Sequence, residues 1–146
     1  MNLFPKTIPI TVLTGFLGSG KTTLLSEFVR SENVNDVAFI INEFGEVGLD
    51  HHLIESTDET ILELRNGCIC CTIQEDLKST LLSLLTKMEK GLIRKFNRVI
   101  IETTGLADPV PIIHTLMTSI DLVRAYVQDC IITIVVIING YQTFTN

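Results

Sequence analysis

Apolar residues along this chain fall into two rhythms. Short runs with little polar interruption, Ile8–Thr14, Val37–Ile41, Ile61–Leu64, Val99–Ile101 and Ile131–Ile138, have the length and β-branched content of buried strands. Between them, apolar residues recur every three or four positions. Thr22–Arg30 reads as a helix. Thr72–Lys90 reads as a longer one, with Ile73, Leu77, Leu81, Leu84, Leu85 and Met88 on a single stripe and Gly91 where a helix-ending glycine belongs. Asp108-Pro109 opens a further helix, Asp108 as N-cap and Pro109 in the first turn, with His114 along it. Asn42–Asp50 is expected to be a loop and Asn66-Gly67 a turn. Strands alternating with helices predict an α/β domain built on a mostly parallel sheet.

The first strand and the first helix enclose Gly15-Phe16-Leu17-Gly18-Ser19-Gly20-Lys21-Thr22, which fits G-x-x-x-x-G-K-[ST] in the strand–loop–helix context that this phosphate-binding motif requires. Gly15, Gly18 and Gly20 let the backbone approach a phosphate closely, and the loop N–H groups and the helix N-terminus supply donors. Lys21 is expected on the β- and γ-phosphate oxygens. The hydroxyl of Thr22 is a candidate Mg²⁺ ligand, and Ser19 and Thr23 complete the phosphate-binding set.

Arg98–Ile101 runs into Glu102-Thr103-Thr104-Gly105. A carboxylate at the end of an apolar strand beside a phosphate loop can hold Mg²⁺ directly or through water, so Glu102 is the candidate catalytic acid together with Lys21. Gly105 is then placed to offer its N–H to the γ-phosphate. The Asn42–Asp50 segment follows the second strand, where a nucleotide-responsive loop is expected. Its Glu43 and Glu46 are candidates for Mg²⁺ or for a second metal, and a solvated acidic loop accounts for them equally well.

Cys68-Ile69-Cys70-Cys71 places three thiols within four residues. Thiolates favour Zn²⁺ and related transition ions. C-x-C-C is not the spacing of a closed four-cysteine zinc site, and no second pair follows. An open three-thiolate site completed by an exchangeable ligand is expected, with His51, His52, Glu43 and Glu46 as candidates for the fourth position. The alternative is that some of these cysteines are simply small core residues. Cys130 is expected in the core.

Composition narrows the partners. The 146 residues suffice for one domain, and 46% of them are hydrophobic. The net charge of −6 and the absence of a basic cluster argue against a nucleic-acid surface. The longest apolar run is far shorter than the ~18 residues of a membrane span. Met1–Lys6 lacks the pattern of a secretory signal, so a cytoplasmic location is expected, where thiols stay reduced.

Taken in order, Gly15–Thr23, Asn42-Glu43-Phe44-Gly45-Glu46, Cys68–Cys71 and Glu102-Thr103-Thr104-Gly105-Leu106-Ala107-Asp108-Pro109 resemble the CobW-like metallochaperone GTPases, relatives of the nickel-insertion GTPases, and the resemblance covers the chain to about residue 140. It implies a P-loop NTPase three-layer sandwich. It implies GTP binding and hydrolysis with Mg²⁺, with Lys21 and Thr22 on phosphate and metal and Glu102 as the acid. Zn²⁺ or Co²⁺ would be held by Cys68, Cys70 and Cys71 and delivered to a client metalloprotein. The family pattern is broken in two places. No N-K-x-D guanine motif is present, and Val136 stands where the family shows an aspartate. The expectation is therefore the N-terminal part of such a GTPase domain, incomplete at its C-terminal end and without the family's C-terminal domain. Two alternatives stand beside it: a non-catalytic fragment that binds metal and at most nucleotide phosphate, and an adenylate- or uridylate-kinase-like phosphotransferase, which has no use for C-x-C-C. An uncovered apolar edge at Ile131–Ile138 makes a homodimer a candidate assembly.

Overall fold

The computed structural model of the chain describes residues 6–42, 44–57, 60–73, 75–103 and 108–137. Seven strands form one sheet: β1 (Ile8–Gly15), β2 (Val37–Ile41), β3 (Ile54–Thr57), β4 (Ile61–Leu64), β5 (Ile69–Thr72), β6 (Arg98–Glu102) and β7 (Tyr126–Ile134), in the order β3-β4-β5-β2-β6-β1-β7. β5, β2, β6, β1 and β7 are parallel; β4 runs antiparallel to both β3 and β5. Among the described residues the helices are α1 (Lys21–Arg30), α2 (Phe44–Val47), α3 (Leu77–Glu89), α4 (Val110–Thr118) and α5 (Ile120–Ala125), with a 3-10 turn at His51–Leu53. The α/β class and the mostly parallel sheet are as the sequence predicts.

Alternation along the central strands feeds two cores. Val37, Phe39 and Ile41 face α1 and α2, where they meet Leu25, Val29 and Val47. Ala38 and Ile40 face the other way, with Ile10, Val12, Val99 and Ile101, and are covered by Leu81 and Leu84 of α3, Leu116 of α4 and Leu122 of α5. β1 connects through α1 to β2 on one side, and β6 connects through α4 and α5 to β7 on the other. The connections diverge between neighbours β1 and β6. In an open parallel sheet that divergence opens a crevice at the carboxyl ends of the strands.

Several boundaries differ from the sequence reading. The long helix begins at Leu77, because Thr72 pairs with Ile41 in β5 and the Asp76 carboxylate caps α3 by accepting from the Ser79 N–H at 2.7 Å. Ile73 still packs on the same core from the loop, which is why periodicity alone extends the helix through it. Gly91 ends α3 at φ 69°, with Leu92 N–H on the Lys87 carbonyl and Gly91 N–H on that of Met88, a Schellman closure. Pro109, not Asp108, is the N-cap of α4, which begins at Val110; Asp108 lies one position earlier and accepts from the Val110 N–H at 3.0 Å. The expected Asn42–Asp50 loop contains the one-turn helix α2.

The last strand runs from Tyr126 to Ile134 rather than from Ile131 to Ile138, since pairing with β1 begins at Tyr126, takes in the more polar Gln128 and passes a bulge at Asp129. β7 lies at the sheet edge, with Val127, Ile131 and Ile132 exposed, as the apolar-edge expectation holds. Cys130, expected in the core, is exposed for the same reason: an edge strand has one neighbour. Among the described residues no helix is long and apolar enough to cross a membrane.

Tyr126 links the edge to the far core by donating its hydroxyl proton to the Leu81 carbonyl at 3.0 Å in a buried position. Tyr126→Phe is expected to cost about 1 kcal/mol, read as a lower urea midpoint at unchanged slope. A midpoint equal to the wild type would show that this bond contributes nothing.

Candidate nucleotide site and cysteine strand

β1 ends at Gly15, where the chain must turn under the edge strand. A Cβ on Gly15 would lie 2.6 Å from the Ile134 carbonyl oxygen, and φ is +148°. Both facts restrict the position to glycine. The loop closes with Ser19 N–H on the Phe16 carbonyl at 3.0 Å. Gly20 then starts α1 in the left-handed region, with no side-chain cap and no acidic residue in the first turn. The first N–H groups of α1 are left for a ligand, and the positive end of the helix dipole favours an anion there. Gly18 and Gly20 both have positive φ and open space where a Cβ would be.

Lys21 is buried, and its Nζ donates to the carbonyls of Gly15 (2.7 Å) and Phe16 (3.0 Å). The ammonium is thus held over the loop by the loop's own backbone. The next residue, Thr22, donates its hydroxyl proton to Glu102 Oε1 at 2.8 Å. Glu102 is 4% exposed, and its Oε2 is buried without a hydrogen-bond partner among the described residues. Burial pushes its pKa up; the Thr22 hydrogen bond opposes this, the nearby charge of Glu46 adds to it, and Lys21 opposes it.

These groups line one open cleft of about 400 Å³, where Gly18, Gly20, Lys21, Thr22 and Thr23 of the loop and α1 meet Asn42, Glu46, Glu102 and Thr103. The sequence-derived candidates from the phosphate loop, Glu102 and Glu46 therefore meet in one place. Ser19 keeps a buried hydroxyl without a partner among the described residues. Glu43 and Gly105 lie outside the described residues. Asn42 and Thr103 were missed by sequence reasoning. The available signal was positional: each directly follows a parallel strand at its carboxyl end. An orphaned carboxylate oxygen, a second carboxylate and a threonine hydroxyl form an oxygen-rich set that suits a hard divalent cation.

The cysteines are arranged differently. β5 pairs Cys70 with Phe39 and Cys71 with Ile40, so successive side chains leave the sheet on opposite faces. Cys68 and Cys70 are buried with α1 and α2, whereas Cys71 is buried beneath α3. Asn66 sets the entry. Its Oδ1 accepts from Cys68 N–H at 3.0 Å, and its Nδ2 donates to the Val29 carbonyl at 3.2 Å. Cys68 Sγ donates to the Val34 carbonyl at 3.3 Å. Burial raises all three thiols, Cys71 to about 12; for Cys70 the neighbouring Cys71 and Cys68 add to it. Among the described residues, no group of three or more His, Cys, Asp or Glu side chains is gathered to hold a metal ion. His51 and His52 are exposed in a short 3-10 turn.

A glycine loop opening an uncapped helix at the switch point of a parallel sheet defines a nucleotide-binding P-loop domain. The CobW/HypB/UreG nucleotide-binding domain matches residues 9–141, and the chain belongs to that family. It is 46% identical over 128 residues to the zinc chaperone YjiA of Escherichia coli (strain K12), covering 88% of this chain and 40% of that protein. It is 40% identical over 127 residues to the zinc-regulated GTPase metalloprotein activator 1 of Dictyostelium discoideum, covering 78% of this chain and 26% of that protein. The crystal structure of the Zn(II)-bound YjiA GTPase from E. coli superposes with a TM-score of 0.78 at 42% identity, over 95% of this chain and 43% of that one. The chain thus spans less than half the length of these relatives.

The raised Glu102 has a consequence in the metal-free protein. A carboxyl raised on folding stabilises the native state below its unfolded pKa, and this contribution is lost as pH climbs through the raised value. Stability is therefore expected to fall as pH rises upward from 4.5, the ordinary value for this carboxyl. Glu102→Gln should flatten that fall and raise the urea midpoint above the window. A variant less stable than wild type at neutral pH would reverse the assignment.

Proposed function

We propose that this chain carries the nucleotide and metal-binding part of a GTP-dependent metallochaperone. It would bind Mg²⁺-GTP in the Lys21–Glu102 cleft, take Zn²⁺, or Co²⁺, on the C-x-C-C strand and pass it to a client metalloprotein in the cytoplasm. The observation that carries the nucleotide half is the Thr22–Glu102 hydrogen bond beside the phosphate loop, with Glu102 Oε2 unpartnered among the described residues. The metal half is supported by the three thiols in and just before β5 and by relatives named as zinc chaperones and zinc-regulated GTPases. Guanine specificity rests on family membership, since N-K-x-D is absent from the chain.

In this reading Gly15, Gly18 and Gly20 shape the backbone around the phosphates, and Lys21 exchanges the Gly15 and Phe16 carbonyls for phosphate oxygens. Thr22 and Glu102 would hold the cation, which supplies charge neutralisation at the β- and γ-phosphate oxygens. Glu102 must be ionised to do so, and the approach of Lys21 and a cation favours that form. Thiol ligation of zinc requires Cys68, Cys70 and Cys71 to lose protons. Their raised pKa values and their two-sided placement mean that β5 must rearrange before all three thiols reach one ion.

Mg²⁺-dependent GTP hydrolysis by the purified chain, lost in Lys21→Ala, is the expected result. Zinc should bind more tightly with Mg²⁺-GTP than without, and Cys70→Ser should weaken it. Equal zinc affinity in both states would remove the coupling. Zinc binding without turnover would favour the non-catalytic reading.

A further inference from the structure

A second open cavity, of about 660 Å³, lies at the amino ends of the strands, away from the nucleotide cleft. The entry to β1, the end of α3 and the approach to β6 build it. Its apolar lining is Ile8, Met88 and Phe96, which belong to the core beneath α3. Phe96 is buried, whereas Ile8 and Met88 are half-buried and still present surface to the cavity. Its charged lining is Lys6, Lys95 and Glu89, all exposed. A cavity of this size, apolar inside and with a few charges, has the make-up of a binding site.

The two lysines differ from the guanidinium groups around them. Arg94 is paired with Glu55, and Arg98 with Asp129 at 2.6 Å. Lys6 and Lys95 have no ion-pair partner among the described residues. Two ammonium groups against the one carboxylate of Glu89 make this cavity locally positive in a chain whose net charge is −6. An occupant that complements it has an apolar body and negative charge beside it. The Met88 thioether and the Phe96 ring favour an aromatic body.

Position narrows the occupant further. β1, β2, β5 and β6 are parallel, so Cys68, just before β5, lies at the same end of the sheet as this cavity. One residue joins the two. The Asn97 N–H, at the cavity, donates to the Asp36 carbonyl at 2.8 Å. Asp36 Oδ1 in turn lies 3.1 Å from where a Cβ on Gly67 would be, and Gly67 leads directly into Cys68.

We propose that this cavity docks the client. It takes one aromatic side chain from an extended acidic segment, whose flanking carboxylates meet Lys6 and Lys95. That the acidic segment belongs to a client rests on the metallochaperone reading above; the site itself rests on its lining alone. Docking here brings the client to the end of the sheet at which the cysteine segment begins.

The probe is the N-acetylated, C-amidated pentapeptide Glu-Asp-Phe-Asp-Glu, titrated into the isotope-labelled chain and followed by amide chemical shifts. Resonances of Ile8, Glu89 and Asn97 should move, with a dissociation constant on the order of 0.1–1 mM, as a single side-chain anchor supports. Replacing the peptide's Phe by Ala should weaken binding about tenfold. Lys6→Glu with Lys95→Glu, both at exposed positions, should weaken the acidic peptide about tenfold or more and create binding of Lys-Lys-Phe-Lys-Lys. Glu89→Gln should tighten the acidic peptide.

No movement at Ile8, Glu89 and Asn97 up to about 5 mM peptide would overturn the site. So would an affinity that the double charge reversal leaves unchanged, or shifts centred on Gly18–Thr23, which mark the peptide as an anion in the phosphate loop. Charge-dependent binding by a chain that takes up no zinc would keep the acidic-peptide site and overturn its assignment to a metal-receiving client.

Discussion

The Leu13 carbonyl accepts two hydrogen bonds from one residue, the N–H of Thr103 at 2.9 Å and its hydroxyl at 3.1 Å. This pair of hydrogen bonds to a buried acceptor holds the end of β6 against the end of β1, and much else depends on it. β6 then delivers Glu102 beside the first turn of α1, and Thr22 reaches it. Without that alignment the glycine loop would be an anion site with no acid beside it. Chain direction does the rest. Because β1, β2 and β6 are parallel, Gly15, Asn42 and Glu102 arrive at one edge although they are far apart in sequence.

The two halves of the molecule use burial in different ways. In the cleft, burial creates unsatisfied potential: an orphan oxygen, an ammonium resting on carbonyls, and a helix end without a cap. Each group has a deficit that a metal-bound triphosphate would fill. In and just before β5, burial suppresses potential, because it raises the thiol pKa values and Cys68 already has an acceptor. The segment from Asn42 to Asp50 touches both environments, with Glu46 in one and Val47 in the other.

Much of this was legible in the sequence, for reasons that differ by element. The glycine loop and the strands β1, β2, β4 and β6 were readable because their chemistry is local: positive φ needs glycine, and a fully buried strand needs an unbroken apolar run. The end of α3 was readable from Gly91. Its start was not, because Ile73 continues the apolar stripe from outside the helix. β7 was misplaced because edge pairing is decided by the neighbour, β1, and not by its own composition, and Cys130 was misjudged with it. The cysteines were identifiable as a group, yet their division between two faces depends on β5 being a strand in register with β2, which no spacing rule contains. Asn42 and Thr103 carry no motif and become visible only when strand ends are aligned.

The placement of Cys70 and Cys71 on opposite faces of one strand also bears on redox chemistry. Adjacent cysteines in a loop can close on each other under oxidation. Here the Cβ vectors diverge across the sheet, and the strand is paired on both sides, with β2 and with β4. A bond between the two sulfurs would require β5 to leave the ladder first. The sheet thus keeps these two vicinal thiols from closing on each other for as long as the strand stays in register.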